Sequence, residues 1–359
     1  MYLREGKLST HKYYSLSIED KIEFTSDNEY AEQFKHLLQL SIKRRLRSDV
    51  PVGTSLSGGL DSSAIVCNIS DMLGKNKNQK TFSARFDEPR IDEGKWIELV
   101  VKRTMTDHYE ILLHHDDILE VIEKVFYHHE YPIGSTSICA QYHVMKLARE
   151  NGVKVVLDGQ GADEIQAGYN SYSYFAFWEY LYNFQFKRFI SERIAYKNRY
   201  QKSVNLGYNF LAKIAASRVL KPGNIDNAWY QSLKAKLRSD LSDQLAELLS
   251  YADRNSMAHG IETRLPFLFH ELVEFSLHCP TDQIYRKATT KWMLRNSIRG
   301  IVPDPIILRS DKLGYTTPQE KWLPSLKKTQ ESSLFAYNLR PSQIEWRNFS
   351  VAKFLEAYA

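Results

Sequence analysis

A chain of 359 residues, with 43% apolar and 25% charged side chains and a net charge of +5, has an ordinary globular composition and enough length to bury a large core. No apolar run is long enough to cross a bilayer, and Met1-Tyr2-Leu3-Arg4-Glu5 lacks the apolar centre of a secretion signal, so no membrane partner is expected and the cytoplasm is the default compartment. Cys67, Cys139 and Cys279 are far apart and suggest neither a disulfide framework nor a zinc site. The basic run Lys43-Arg44-Arg45-Leu46-Arg47 ends a predicted helix, where cations complement the dipole, so nucleic-acid binding is not expected.

Residues 1–25 read as a loose leading piece with a short hairpin, its strands at Lys7-Leu8-Ser9-Thr10 and Lys12-Tyr13-Tyr14-Ser15-Leu16. Tyr30 to Leu46 carries Phe34, Leu37, Leu38 and Ile42 at helical spacing. Strands and helices then alternate. Strands are expected at 50–56, Thr81 to Phe86, Tyr109 to Leu113 and Val153 to Leu157; helices are expected after the first of these, where Ile65, Val66, Ile69, Met72 and Leu73 share one face, and at Glu93 to Met105, Asp116 to Phe126 and Ser137 to Glu150. This alternation predicts a doubly wound parallel α/β sheet over 26–170, in which ligands bind beyond the carboxyl ends of the strands. From Tyr169 the chain turns helical and aromatic, with Tyr172, Phe177, Trp178 and Tyr180 among the nine rings from Tyr172 to Phe186, and packing outweighs base stacking as their use.

Between the first strand and its helix lies Ser55-Leu56-Ser57-Gly58-Gly59-Leu60-Asp61-Ser62-Ser63. Gly58 and Gly59 let backbone N–H groups approach an anion, Ser57, Ser62 and Ser63 add hydroxyls, and the helix dipole points the same way. Leu60 and Asp61 stand where a P-loop would carry Lys and Ser or Thr, which excludes that loop. Asp61 suits Mg2+, which favours a few carboxylates together with phosphate oxygens. The competing reading is a Ser/Gly turn with a helix cap. The segment resembles the SGGxDS pyrophosphate loop of the ATP pyrophosphatases, which implies an adenine nucleotide alpha hydrolase-like sheet and ATP split between its α and β phosphates.

The last predicted strand runs into a second loop, Asp158-Gly159-Gln160-Gly161-Ala162-Asp163-Glu164. Gly159 and Gly161 permit close approach, and Asp163 offers a second carboxylate to the same Mg2+. With Arg254 to Phe267, Lys291-Trp292-Met293-Leu294-Arg295 and Lys312-Leu313-Gly314-Tyr315, the loops occur in the order found in the synthetase domain of glutamine-dependent asparagine synthetases and in β-lactam synthetase, which the chain resembles from about Tyr30 to Pro318.

The resemblance implies that an aspartate carboxylate attacks ATP, leaving a β-aspartyl adenylate that ammonia converts to asparagine. It puts Asp61 and Asp163 on Mg2+, the adenine against Ser83, Ala84 and Phe86 over Leu56, and Lys312 near the α-phosphate. It makes Glu262 an acid-base candidate, with an ion pair to Arg264 or Arg254 as its competing role. Residues 171–359 would be the helical remainder of that domain.

Three departures qualify it. Gln160 stands where these synthetases usually have Glu, and an amide cannot act as a carboxylate base. Phe269 replaces an acidic residue. Met1-Tyr2 replaces the Met-Cys-Gly start of the glutaminase domain, so residues 1–25 resemble only the end of that domain. The expectation is use of free ammonia or of a separate glutaminase subunit, with a homodimer left open. Two alternatives stand beside it: an adenylating amide or lactam synthetase for another carboxylate, and an inactive nucleotide-binding relative.

Overall fold

The computed structural model describes residues 1–18, 22–74, 79–202, 232–310, 314, 316–326 and 341–358. The chain opens with a hairpin of β1 (Tyr2–Arg4) and β2 (Lys7–Ser9), paired Tyr2 to Ser9. The expected hairpin was placed one strand too late. Glu5 and Gly6, at φ 52° and 72°, form the turn, and the segment from Lys12 to Leu16 is not a strand.

Helix α1 (Asp27–Arg45) starts at a capping box, in which Ser26 accepts from the Glu29 amide and Glu29 reaches back, and ends on Lys43, Arg44 and Arg45 as its dipole favours. There follow β3 (Val52–Ser55), α2 (Leu60–Leu73), β4 (Lys80–Phe86), α3 (Gly94–Thr104), β5 (Asp107–Leu113), α4 (His115–His129), α5 (Ser137–Glu150) and β6 (Val155–Leu157). Short α6 (Ala162–Ile165) and the aromatic α7 (Tyr172–Tyr182) come next.

The main sheet has five parallel strands in the order β5-β4-β3-β6-β7, which bears out the doubly wound class. Its fifth strand, β7 (Glu262–Arg264), was not expected, and it returns from the helical part of the chain to pair with β6, Leu157 opposite Arg264. Both faces are covered. Along β6, Val155 and Leu157 join the core under α1 and α2, while Val156 joins the core under α5.

Strand order reverses between β3 and β6, where Thr54 pairs with Leu157, so the loops after these two strands leave the same sheet edge side by side. In α7, Tyr172, Phe177, Trp178 and Tyr180 are buried, and all but Trp178 join one core cluster with Tyr285; packing is their use. Phe269 is 5% exposed, with the Arg44 guanidinium 4.9 Å from its ring centroid, so a cation-π contact occupies the place where an acidic side chain was expected.

Candidate active site

The two loops form one wall of a cleft of about 350 Å³. Leu56 ends the β3 ladder by donating its N–H to Phe82 at 2.9 Å, and it lies under the cleft at 1% exposure. Ser57 and Ser62 brace the turn: the Ser57 N–H donates to Ser62 Oγ at 3.2 Å, and the Gly59 N–H donates to Ser57 Oγ at 3.3 Å. Gly58 stands at φ 73°, and a Cβ there would lie 2.7 Å from Trp96 Cβ, so only glycine lets α3 pack this closely. Gly159 comes equally near the other loop, since its Cβ would sit 3.2 Å from Asp61 Cβ and from the Ser62 amide.

Ser57, Gly59, Asp61 and Ser62 line the cleft with Asp158, Gly159, Gln160, Gly161 and Asp163, and Ser83, Ala84 and Phe86 line it from β4. The Ser83 hydroxyl donates to the Leu56 carbonyl, which fastens β4 to the loop and leaves backbone groups to face a ligand. Three expected residues do not line it. Gly58 faces Trp96, and Ser63 is fully buried beneath the loop. Glu262 is 60% exposed at the side chain and 2.7 Å from Arg264 Nε, the ion pair expected as its competing role. Lys312 lies outside the described residues; its neighbour Gly314 lines the cleft.

At the centre stands a residue whose role the sequence did not reveal. Lys291 Nζ lies 2.6 and 2.5 Å from the two carboxylate oxygens of Asp61 and 2.6 Å from Asp163 Oδ1, with the lysine side chain 3% exposed. Burial works to lower its pKa, but Asp163 and Asp61 outweigh it and hold the ammonium above its ordinary value. Gly168 makes the room, because a side chain there would run into the Asp163 carboxylate and the lysine stem. The signal was the spacing of Lys291 and Arg295, which puts two cations on one side of a short helix (Trp292–Ser297). Arg295 Nε donates to the Thr290 carbonyl at 2.9 Å, and burial, with Arg199 close by, lowers its pKa to about 10.

Of two further acids in the second loop, Glu164 is buried and Asp158 half-buried. Burial raises the pKa of Asp158, whose Oδ1 accepts the Gln160 N–H at 3.2 Å. Burial and neighbouring Asp163 raise that of Glu164, which accepts the Tyr169 hydroxyl at 2.7 Å. Gln160 Oε1 is buried with no partner among the described residues. On the far side, Arg309 pairs with Glu93 at 2.6 Å and stacks 4.8 Å from the Trp96 ring centroid.

Asp61 and Asp163 are two carboxylates against the one ammonium of Lys291 between them. A divalent cation would offset that excess beside a polyphosphate. Asp61 and Asp163 fit one: both converge on a single cationic atom, and both are hard oxygen donors of the kind Mg2+ takes.

A family model described as asparagine synthase matches residues 33–357. The chain belongs to the asparagine synthase family. It is 26% identical over 341 residues to the glutamine-hydrolyzing asparagine synthetase 1 of Bacillus subtilis strain 168, an overlap of 83% of this chain and 51% of that protein. To asparagine synthetase 3 of the same organism it is 27% identical over 353 residues, 91% of this chain and 56% of that one. It is also similar to amidase chry2 of Gibberella zeae, 22% identical over 380 residues, 87% and 56% of the two chains. The chain therefore spans about half the length of these relatives. Among its described residues no helix is long and apolar enough to cross a membrane.

Proposed function

We propose that this family member is an ATP-dependent amide-forming ligase of the asparagine synthetase type. It adenylates the side-chain carboxylate of aspartate, releases pyrophosphate and passes the acyl group to ammonia, giving asparagine and AMP. The observation that carries this reading is the convergence of Asp61 and Asp163, from two neighbouring strand-end loops, on one buried cationic point beside the Ser57–Ser62 turn.

The residues divide the work. Amides and hydroxyls of Ser57, Gly59 and Ser62, at the N-terminus of the 14-residue α2, receive the departing pyrophosphate. Backbone groups of Ser83, Ala84 and Phe86 face the adenine above Leu56, and Gly159 and Gly161 let the second loop close over the sugar. Asp61 and Asp163 hold Mg2+, which when bound neutralises charge on the leaving oxygens. Lys291 and Lys312 supply the cations for the phosphates. Gln160, whose buried carbonyl has no partner among the described residues, orients the acceptor by hydrogen bonding, since it can take no proton.

A second acceptor is favoured by one feature. Ile138, Leu248 and Tyr251 line the cleft with Gln141 and Gln160, and this wall suits a carboxylate carried on a less polar body than aspartate. Isotope exchange between pyrophosphate and ATP over a panel of carboxylic acids decides. Exchange stimulated by aspartate supports the first reading, exchange with another acid alone supports the second, and none with any acid removes both.

A further inference from the structure

Lys291 is placed by the backbone on every side. Its N–H donates to the Gln166 carbonyl at 2.9 Å, just past the acidic loop. It stands at φ 57°, and the turn before it, Lys287 and Ala288 at φ 50° and 52°, is left-handed as well. Three non-glycine residues held in that region within five positions mark a segment that the surroundings dictate. The product is an ammonium in contact with three carboxylate oxygens of two residues that are 102 positions apart.

A divalent ion bound to Asp61 and Asp163 needs the same oxygens, at still shorter distances. The ammonium and the metal cannot both occupy that point. The lysine stem has four rotatable methylenes and can carry its charge toward the turn at Ser57 when phosphate oxygens offer a better partner.

We propose that Lys291 is an internal counter-ion standing in for the divalent cation: it holds Asp61 and Asp163 together before the nucleotide arrives and yields the site only as phosphate accepts its ammonium. This rests on the nucleotide reading above and adds an order to it. The metal enters with the nucleotide and is refused alone. A site of two facing carboxylates without such a counter-ion would load metal from solution and present a bare dication to any anion, whereas this one is neutralised in part until the triphosphate is in place.

The test uses Mn2+, without and with ATP, on the full chain and on Lys291→Met, and reads it by equilibrium dialysis, in which free Mn2+ and its ATP complex cross the membrane and only metal held by the protein is retained in excess. Wild type is expected to take up Mn2+ only when ATP is added. Lys291→Met is expected to bind Mn2+ without nucleotide, roughly tenfold or more tighter than wild type, because two carboxylates then face each other with no compensating charge. Lys291→Met/Asp163→Asn restores the charge balance and serves where the single variant fails to fold; it should lose the gained binding while keeping the wild-type circular dichroism. Equal Mn2+ uptake by nucleotide-free wild type and Lys291→Met, or a folded Lys291→Met that gains none, overturns the counter-ion. Wild type that takes up no Mn2+ even with ATP overturns the nucleotide reading itself, and the counter-ion with it.

Discussion

Glu192 Oε2 accepts the N–H of Ala288 at 2.8 Å, across 96 residues of chain, while its other oxygen accepts the N–H of Lys287 at the same distance. One buried carboxylate on the helix Phe186–Tyr200 therefore satisfies both amides of a left-handed turn that leads, three residues on, to the lysine between Asp61 and Asp163. Replacing it by Gln leaves one amide facing an N–H2 group. Glu192→Gln is expected to cost about 1–3 kcal/mol in urea unfolding and to raise the KM for ATP, because Lys291 loses its register. A variant with wild-type KM would show that the turn does not govern the site.

The same turn predicts a gain. A left-handed residue other than glycine costs about 1–2 kcal/mol, and turns with two such residues favour Asn at the first. Lys287 is exposed, so its side chain can be changed without opening the core. Lys287→Asn should stabilise the protein by about 0.5–1 kcal/mol, read from the urea midpoint, with catalysis unaltered. Destabilisation would mean that the lysine makes a contact that outweighs its strain.

Gly58→Ala attacks the first loop from behind. The new methyl meets Trp96 at a residue already at φ 73°, so a loss of about 1–3 kcal/mol is expected together with loss of nucleotide binding. Gly159→Ala separates the two effects: its methyl narrows the gap to Asp61 without calling for a left-handed backbone. It should weaken ATP binding while the melting temperature falls little, and retained affinity would mean that the loops need not approach this closely.

His259 gives a pH signature away from the cleft. Its ring packs edge-on to Tyr142 with centroids 4.3 Å apart, and burial, aided by His128 and Lys146, lowers its pKa from 6.5 to about 4. In the folded protein it is neutral where the unfolded chain already binds a proton. The stability it contributes is complete above pH 6.5 and is lost as pH falls from there toward 4. Melting temperatures of His259→Phe should therefore fall less steeply than wild type over that window, and parallel curves would contradict the assignment.

Much of this was legible in the sequence where local chemistry decides. The Ser57–Ser63 and Asp158–Glu164 loops carry glycines, hydroxyls and acids in a fixed order after apolar strands, and the alternation of those strands with helices placed both loops at one sheet edge. What was hidden depends on distant partners. β7 is three residues long and gains its place only by pairing with β6. The turn at Lys287 and Ala288 has no glycine to announce it. Lys291 looked like part of a motif, since nothing near it in sequence shows that it lies between two aspartates from other loops. The ion pair of Glu262 with Arg264, two residues on, was legible because both partners lie close together in sequence.

The most direct measurement is phosphorus magnetic resonance of the products formed from ATP, Mg2+, ammonium and aspartate, or whichever carboxylate stimulates exchange. The proposed placement of pyrophosphate at Ser57–Ser62 and of the metal at Asp61 and Asp163 requires release of AMP and pyrophosphate in equal amounts, with Asp61→Asn abolishing both. Release of ADP and inorganic phosphate instead would contradict the account.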